Sequence, residues 1–379
     1  MTTLPAHSPL GASSASRWMK CPGSATLIRL LDEAGIQDEA DPDWRRDGVE
    51  AHELAAHCLN APCDAWEADQ ERWPTLTVET MAAVQVYLDH VRSIRGYNQR
   101  FVEYKLHRPG FHEAMFGTVD CALQDRKSGL HVIDYKHGVG VFVDVEHNVQ
   151  LLYYAFMVID ELGDCDDAEP VTLTIVQPRS PIGDPCRSWT TTVGYVKEWA
   201  NEVLRPAMEQ TSLSGHLATG EHCRFCPAKL ACPAFLGTAK RLFSLTIDEG
   251  KRVTEQQLAD LLPLVPIGRM ALTALVAEAK RRTIENAKVI PGWKLVQAKA
   301  DRMWKDEAPV ADLFGYQPQK LLSPAMVEKA PGGKEFVHEW AFSPDAGYDL
   351  VPESDRRKPV FIEPGSETFK KALEGLKHD

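Results

Sequence analysis

The segment from Phe116 to Lys136 constrains this chain more than any other. Two strand-forming runs flank Asp125-Arg126-Lys127-Ser128-Gly129, a strong turn signal. A hairpin symmetric about Lys127 sets Asp120 directly opposite Asp134, and directly opposed residues share one face of the ribbon. Lys136, two positions beyond Asp134, shares that face as well. Two carboxylates and an ammonium on one sheet face suit a hard cation, because Mg²⁺ takes one or two carboxylates and fills the rest of its shell with water and substrate phosphate. An Asp-x-Lys alone is commonplace on a solvated strand. What carries the reading is the ordered set of Gly117, Asp120, Asp134 and Lys136, followed by Gln150 and Tyr154.

Around this hairpin the pattern predicts an α/β fold with a mixed central sheet flanked by helices. Ser13 to Met19 reads as a short helix ended by Pro22, with a second helix over 24–34 and an acidic loop over 35–46. Helices are expected from Gly48 to Leu59 and from Val78 to Ile94. Strands are expected over 101–106, 116–124 and 130–136, with an edge strand over Val141–Val145. A helix over His147–Asp160, strands over 171–177 and 188–193, and a helix over 196–210 complete the core. The composition changes after Cys232, so a boundary is placed near residue 240, giving domains 1–240 and 241–379. In the second, Glu255–Lys288 is helical with breaks at Pro263 and Pro266, and Leu258, Leu261, Leu262 and Leu264 read as core. Arg302, Trp304 and Lys305 form a small basic-aromatic group, with Trp304 read as a packing residue.

The chain has 379 residues, 44% hydrophobic and 25% charged, with a net charge of −12, which disfavours a DNA coat protein but leaves room for an enzyme with a local positive groove. No run of eighteen apolar residues occurs and the first residues lack the basic start and apolar core of a secretion signal, so a cytoplasmic protein without a membrane span is expected. Nine cysteines without a secretion signal argue against a disulfide framework. Cys223, Cys226 and Cys232 follow C-x2-C-x5-C, a tight bite for a tetrahedral metal, and Cys21 is the candidate fourth ligand. Spacing alone admits either zinc or a four-iron cluster there. Cys58, Cys63, Cys121, Cys165 and Cys186 show no ligand spacing. The acid and lysine set predicts a metal-dependent nuclease.

Taken together, these residues resemble the RecB-like branch of the PD-(D/E)XK nuclease superfamily, above all its members with an iron–sulfur staple, such as AddB-type nucleases and CRISPR-associated exonucleases. The chain is also similar to a family of phage and prophage proteins that begins S-S-A-x-R-W-x-x-C-P, here Ser13 to Pro22. The resemblance covers about residues 10–240. It implies a restriction-endonuclease-like core and a helical or irregular C-terminal region of unassigned role. It implies that His52, in Gly48-Val49-Glu50-Ala51-His52, is a metal ligand, that Asp120 and Asp134 are the motif acids and that Lys136 is the catalytic lysine. Gln150 and Tyr154 match the Q-x-x-x-Y helix that helps position DNA, and Cys21, Cys223, Cys226 and Cys232 match the one-plus-three pattern of a 4Fe-4S cluster, with zinc as the alternative.

One imidazole and two carboxylates accept Mn²⁺ as well as Mg²⁺, and the main-chain carbonyl of Tyr135 is a further candidate oxygen. Lys136 would orient a water or stabilise charge on the phosphate. Glu103 is a candidate outer acid, His57 rivals His52, His147 is a candidate substrate contact, and His137 is the one cation candidate seen in the loop after Lys136. The expected function is exonuclease action on single-stranded or end-resected DNA in phage replication or recombination, in the bacterial host cytoplasm, with other proteins of those processes as partners. The alternative is a catalytically silent DNA-binding or recombination-accessory protein on the same fold.

Overall fold

The structure is a computed structural model and describes residues 5, 7–36, 43–61, 63–68, 72–73, 76–125, 129–139, 141–180, 182–213, 215–243, 254–285, 290–298, 302–304, 323–328, 332–343 and 348–360. The chain divides into two compact units, Met1–Thr273 and Ala274–Asp379. The boundary expected near residue 240 falls inside the first.

A five-stranded sheet in the order β1 (Gln99–His107), β2 (Phe116–Asp125), β3 (Gly129–Tyr135), β4 (Pro170–Val176), β5 (Cys186–Thr192) organises the first unit. Every neighbouring pair is antiparallel except β3 and β4. A parallel pair needs a crossover connection, and α5 (Val149–Leu162) supplies it. Asn148 caps this helix by accepting from the main-chain N–H groups of Gln150 and Leu151. The mixed α/β architecture expected from the sequence is present. The hairpin turn, residues 126–128, and the acidic loop residues 37–42 lie outside the described residues.

Strand alternation splits the core between the two sheet faces. Ala122, Val132, Leu173 and Ile175 face α5 and α1 (Ala15–Trp18), where Leu151, Leu152, Ala155 and the fully buried Trp18 pack. Cys121, Leu123, Ile133, Tyr135 and Val176 face the opposite way, onto Ala51, Leu54 and Cys58 of α3 (Asp43–Asn60) and Val84, Tyr87 and Leu88 of α4 (Val78–Ser93). β3 is central and apolar on both sides, as expected of a parallel-paired strand. Its first residue, Gly129, has φ +81°, and a Cβ there would lie 2.0 Å from the Pro170 carbonyl oxygen at the start of β4. Only glycine lets the two strands begin this close together.

The N-terminal motif is tied down by its own polar atoms. Trp18 Nε1 donates to Gly11 O at 3.1 Å, and Arg17 donates to Ser24 Oγ at 2.8 Å. Beyond α1, Gly23 N donates to His216 O at 2.9 Å. A Cβ on Gly23 would stand 2.6 Å from Gly215 O, so this close backbone crossing also requires glycine.

Two expectations fail. Val141–Val145 is a loop, not an edge strand. Its backbone is satisfied by side chains instead: Gln177 donates to Val141 O and accepts from Val143 N, and Arg187 donates to Val143 O. Leu258 and Leu262 are not core; they are 47% and 64% exposed on a helical stretch formed by α9 (Glu255–Leu261), a 3₁₀ turn (Leu262–Leu264) and α10 (Val265–Glu285). Pro263 lies in the 3₁₀ turn, where its missing N–H breaks the α-helical ladder. The span Glu255–Ile284 is also long and apolar enough to cross a membrane by length and composition, with a mean hydropathy of 1.5 over its best window and 17% of that window buried. A lone segment of this kind is weak evidence, and Arg269 and Glu278 interrupt it.

The described part of the second unit contains two antiparallel two-stranded sheets, β6 (Trp293–Gln297) with β9 (Tyr348–Pro352) and β7 (Met303–Trp304) with β8 (Ala341–Phe342), and the helix Gly333–Trp340. Of the expected basic-aromatic group, Arg302 is engaged with Glu328 through both terminal nitrogens, while Lys305 and the side chain of Trp304 lie outside the described residues.

Candidate active site

Glu103, Asp120 and Asp134 stand in one row across β1, β2 and β3. The β1–β2 register pairs Val102 with Cys121 and Tyr104 with Val119, which sets Glu103 opposite Asp120. The β2–β3 register pairs Cys121 with Ile133 and, continued by one residue, sets Asp120 opposite Asp134. Regular pairing lapses at both steps. Glu103 has φ +44°, in the left-handed region that non-glycine residues seldom enter. Asp120 Oδ2 accepts from Tyr135 N at 2.8 Å, so a carboxylate takes the place of a ladder carbonyl. Strained backbone of this kind persists where its surroundings hold it, often at functional sites.

α3 carries His52 to this row. Its Nδ1 lies 3.6 Å from Glu103 Oε1 and 3.5 Å from Asp120 Oδ2, and one donor atom from each of the three residues falls within 4.8 Å of the others. Burial pulls the imidazole toward neutrality, but Asp120, Glu103 and Asp134 together overcome it and raise His52 to about 9. The ring therefore holds a proton among three acids.

Asp134 is buried, its side chain 3% exposed. Burial, followed by the Asp120 charge, pushes it up to about 6 against the pull of Lys136. Its Oδ1 accepts from Gln150 Nε2 at 2.8 Å. Its Oδ2 lies 2.9 Å from Lys136 Nζ yet receives no directed hydrogen bond. Lys136 Nζ instead donates to Gln150 Oε1 at 2.7 Å. Gln150 thus clamps both ends of the Asp134–Lys136 pair. One helical turn on, the buried Tyr154 hydrogen-bonds Gln150, and its ring lies where a side chain on Gly117 would reach. The sequence-selected residues Asp134, Lys136, Gln150 and Tyr154 are therefore one network. His52 and Asp120 belong to a second, adjoining group, to which the structure adds Glu103.

Tyr135 turns to the other sheet face, where its ring meets His52 edge-on at 5.3 Å. Its hydroxyl lies 2.9 Å from His137 Nδ1. His137 Nε2 lies 2.9 Å from Arg179 Nη1; since a guanidinium only donates, the His137 proton resides on Nδ1. Burial, Arg179 and His52 hold His137 down at about 4, so it is a neutral spacer and not the cation the sequence suggested. Among the described residues, Lys136 is joined at this end of the sheet by Arg179, whose Nε lies 3.2 Å from Glu79 Oε1, and by Arg187 of β5. His57 packs on Trp73 at 5.1 Å, away from the acid row. His147, with φ +53°, bonds the Tyr195 hydroxyl at 2.9 Å.

At the other end of the unit, Cys21, Cys223, Cys226 and Cys232 are all buried. Ala218 N donates to Cys21 Sγ at 3.4 Å, which brings the N-terminal segment against the stretch leading to Cys223. Burial first, then the nearby Cys21 and Cys232 sulfurs, push the Cys223 thiol up. Cys226 is pushed up likewise by burial, Cys223 and Cys21, and Arg17 acts against this. Among the described residues, no three of these sulfurs converge to within 4.8 Å of one another. All nine cysteines are free.

The family model described as "Protein of unknown function (DUF2800)" matches residues 7–358, and so takes in the acid row, the clamp and all four of these cysteines. The chain belongs to this family.

Within this DUF2800 chain, the residues of the acid row fit a divalent cation on their own chemistry. One ligand atom from each of Glu103, Asp120 and His52 lies within 4.8 Å of the others, and the buried Asp134 carboxylate stands next in the row, paired with Lys136. Sequence reasoning missed the roles of Arg179 and Arg187. β3, β4 and β5 register Asp134 with Ile175 and Ile175 with Arg187, extending the acid row to the far edge of the sheet. No local signal sets that register, because a proline-rich segment separates β4 from β5.

Proposed function

We propose that this chain is a metal-dependent deoxyribonuclease that acts on single-stranded or end-resected DNA. The observation that carries the reading is the row Glu103–Asp120–Asp134, flanked by His52 on one side and Lys136 on the other. Asp120, Asp134, His52 and the Tyr135 carbonyl would hold Mg²⁺ or Mn²⁺, with Glu103 as an additional oxygen donor. A divalent ion so held supplies Lewis-acid polarisation of the phosphate and a water of lowered pKa. Lys136 Nζ, fixed by Asp134 and Gln150, puts a positive charge beside the position of the scissile phosphate. Gln150 keeps that ammonium from folding away, and the buried Tyr154 keeps Gln150 in place. Glu103 and Asp120 lie against the His52 imidazole, which would bind the ion in its neutral form, so that metal loading would be accompanied by loss of the His52 proton.

We further propose that Cys21, Cys223, Cys226 and Cys232 hold a 4Fe-4S cluster as a staple between the chain's N-terminal segment and the end of the nuclease core. Zinc at the same four cysteines is the alternative, and the metal content of the purified protein distinguishes the two. A setting in phage replication or recombination rests on the resemblance alone.

The test is incubation of anaerobically purified protein with end-labelled single-stranded and duplex DNA plus Mg²⁺ or Mn²⁺, with Asp134→Ala in parallel. Metal-dependent digestion that the variant lacks supports the nuclease. DNA binding without digestion under either metal would replace it with the catalytically silent accessory.

A further inference from the structure

The loop joining Lys136 to Gln150 runs along the edge strand β5, and the two together carry the exposed Phe142 and His147, the half-buried Trp189, and a cation. Phe142, 37% exposed, lies beneath the Arg187 guanidinium at 4.4 Å from its ring centre, and Ile182, 62% exposed, stands on the neighbouring β4–β5 loop. Two residues along the same face of β5, Trp189 meets the His147 ring at 4.7 Å, and Tyr195 closes the group at 5.7 Å from Trp189. The register places this line relative to the acids. Asp134, Ile175 and Arg187 occupy one row, and Val132, Leu173 and Trp189 the next. Arg187 is therefore two strands from Asp134, roughly 10 Å across the sheet.

Exposed apolar side chains on a loose loop would mean little. These are held: the buried Gln177 side chain bonds Val141 O and Val143 N, and Arg187 bonds Val143 O and Gln177 Oε1. Arg187 meets only oxygens of carbonyl and amide groups, its Nε is buried without a partner, and no carboxylate pairs with it among the described residues. A rigid strip with an unneutralised guanidinium between two aromatic groups, beside a phosphate-handling site, matches an unpaired nucleic-acid strand. Bases stack on aromatic and guanidinium planes while the cation takes the backbone charge.

We propose that Phe142–Arg187 and Trp189–His147 form a stacking track for single-stranded nucleic acid leading to the acid row. This rests on the nuclease reading of that row. A paired duplex does not offer its base faces to such a track, so the selectivity is for unpaired strand.

The experiment is fluorescence anisotropy with a fluorescein-labelled 20-nucleotide oligothymidylate, in EDTA at low salt, beside a duplex closed by hairpins at both ends. Wild type, Phe142→Ala, Phe142→Tyr and Ile182→Ser are compared, each checked for wild-type thermal unfolding. Phe142→Ala should weaken single-strand binding about five- to a hundredfold, the span expected for one lost stacked base, and Phe142→Tyr should restore it. Ile182→Ser provides an independent second perturbation of the strip and should weaken the single strand more than the duplex. Equal affinity of wild type and Phe142→Ala, equal losses on both DNAs, or no single-strand binding by wild type would each overturn the track. Cleavage with Mn²⁺ is scored separately. Phe142-dependent binding without cleavage would leave the track and remove the nuclease, and cleavage with Phe142-independent binding would do the reverse.

Discussion

Replacing Asp134 by Asn separates the electrostatic cost of the acid row from its benefit. Burial and Asp120 push Asp134 to about 6, from an ordinary value of 3.8, even with Lys136 2.9 Å away. Two units at about 1.36 kcal/mol each amount to roughly 3 kcal/mol for keeping this carboxylate ionised at pH 8. The amide removes that term but sets an NH₂ group toward Lys136, which costs about 1 kcal/mol. The metal-free Asp134→Asn protein should therefore gain about 1–2 kcal/mol, a rise of roughly 2–8 °C for a unit of this size. With Mn²⁺ at a hundred times its Kd, wild type gains about 2.7 kcal/mol and the variant loses most of that gain, so the order of melting reverses. The pH dependence has a definite sign. A carboxylate whose folded value is raised is costly above that value, and the cost fades as pH falls toward 3.8; it drops from roughly 3 to roughly 1.6 kcal/mol at pH 5, so the gap in EDTA should shrink to about 0.5 kcal/mol or less. Circular-dichroism melts in EDTA and in Mn²⁺ at pH 8 and pH 5 provide the readings. A variant that melts below wild type in EDTA, or that gains as much from Mn²⁺, would refute this electrostatic argument.

Other residues make separate claims. Gly23→Ala drives a Cβ to 2.6 Å from Gly215 O and should cost about 1–3 kcal/mol in urea unfolding; a neutral result would mean the crossing is looser than described. His131, 2.7 Å from Thr174 Oγ1, is held down to about 4 by burial and His90. Its folded value lies below the ordinary 6.5, so stability is lost as pH falls from 6.5 toward 4, about 2 kcal/mol by pH 5. His131→Asn should lack that loss, and urea curves for the two proteins that run parallel between pH 7 and pH 5 would contradict it. Cys226→Ala should strip bound iron and the brown absorbance from anaerobically prepared protein, and wild-type iron content in the variant would remove Cys226 from the cluster.

The hairpin was legible because its turn signal and its two acids are symmetric about Lys127, and register in a hairpin is set locally. α5 was legible from its apolar side, Leu151, Leu152, Ala155, Phe156 and Ile159, all of which are buried. Val141–Val145 was not, since Gln177 and Arg187, distant in sequence, take the hydrogen bonds a strand would have made. Leu258 and Leu262 misled because leucine at helical spacing reports amphipathicity, not whether a partner covers the face. Glu103 drew attention as an acid near the site, but its left-handed backbone and its place opposite Asp120 depend on long-range pairing. Arg187 shows the same limit most sharply. Three strand registers separate it from Asp120, and only the first is written in a turn.

The central claim is that the acid row binds a divalent cation where a phosphodiester can reach it. Anomalous diffraction at the manganese edge, from crystals of EDTA-treated protein soaked in Mn²⁺ with a thymidine phosphorothioate dinucleotide, tests this most directly. The account predicts a peak in contact with the Asp120 and Asp134 carboxylates and the Tyr135 carbonyl, with His52 or Glu103 alongside and a phosphorothioate oxygen or sulfur completing the shell. An empty row in crystals whose dinucleotide is bound, or manganese only at unrelated surface carboxylates, would contradict it.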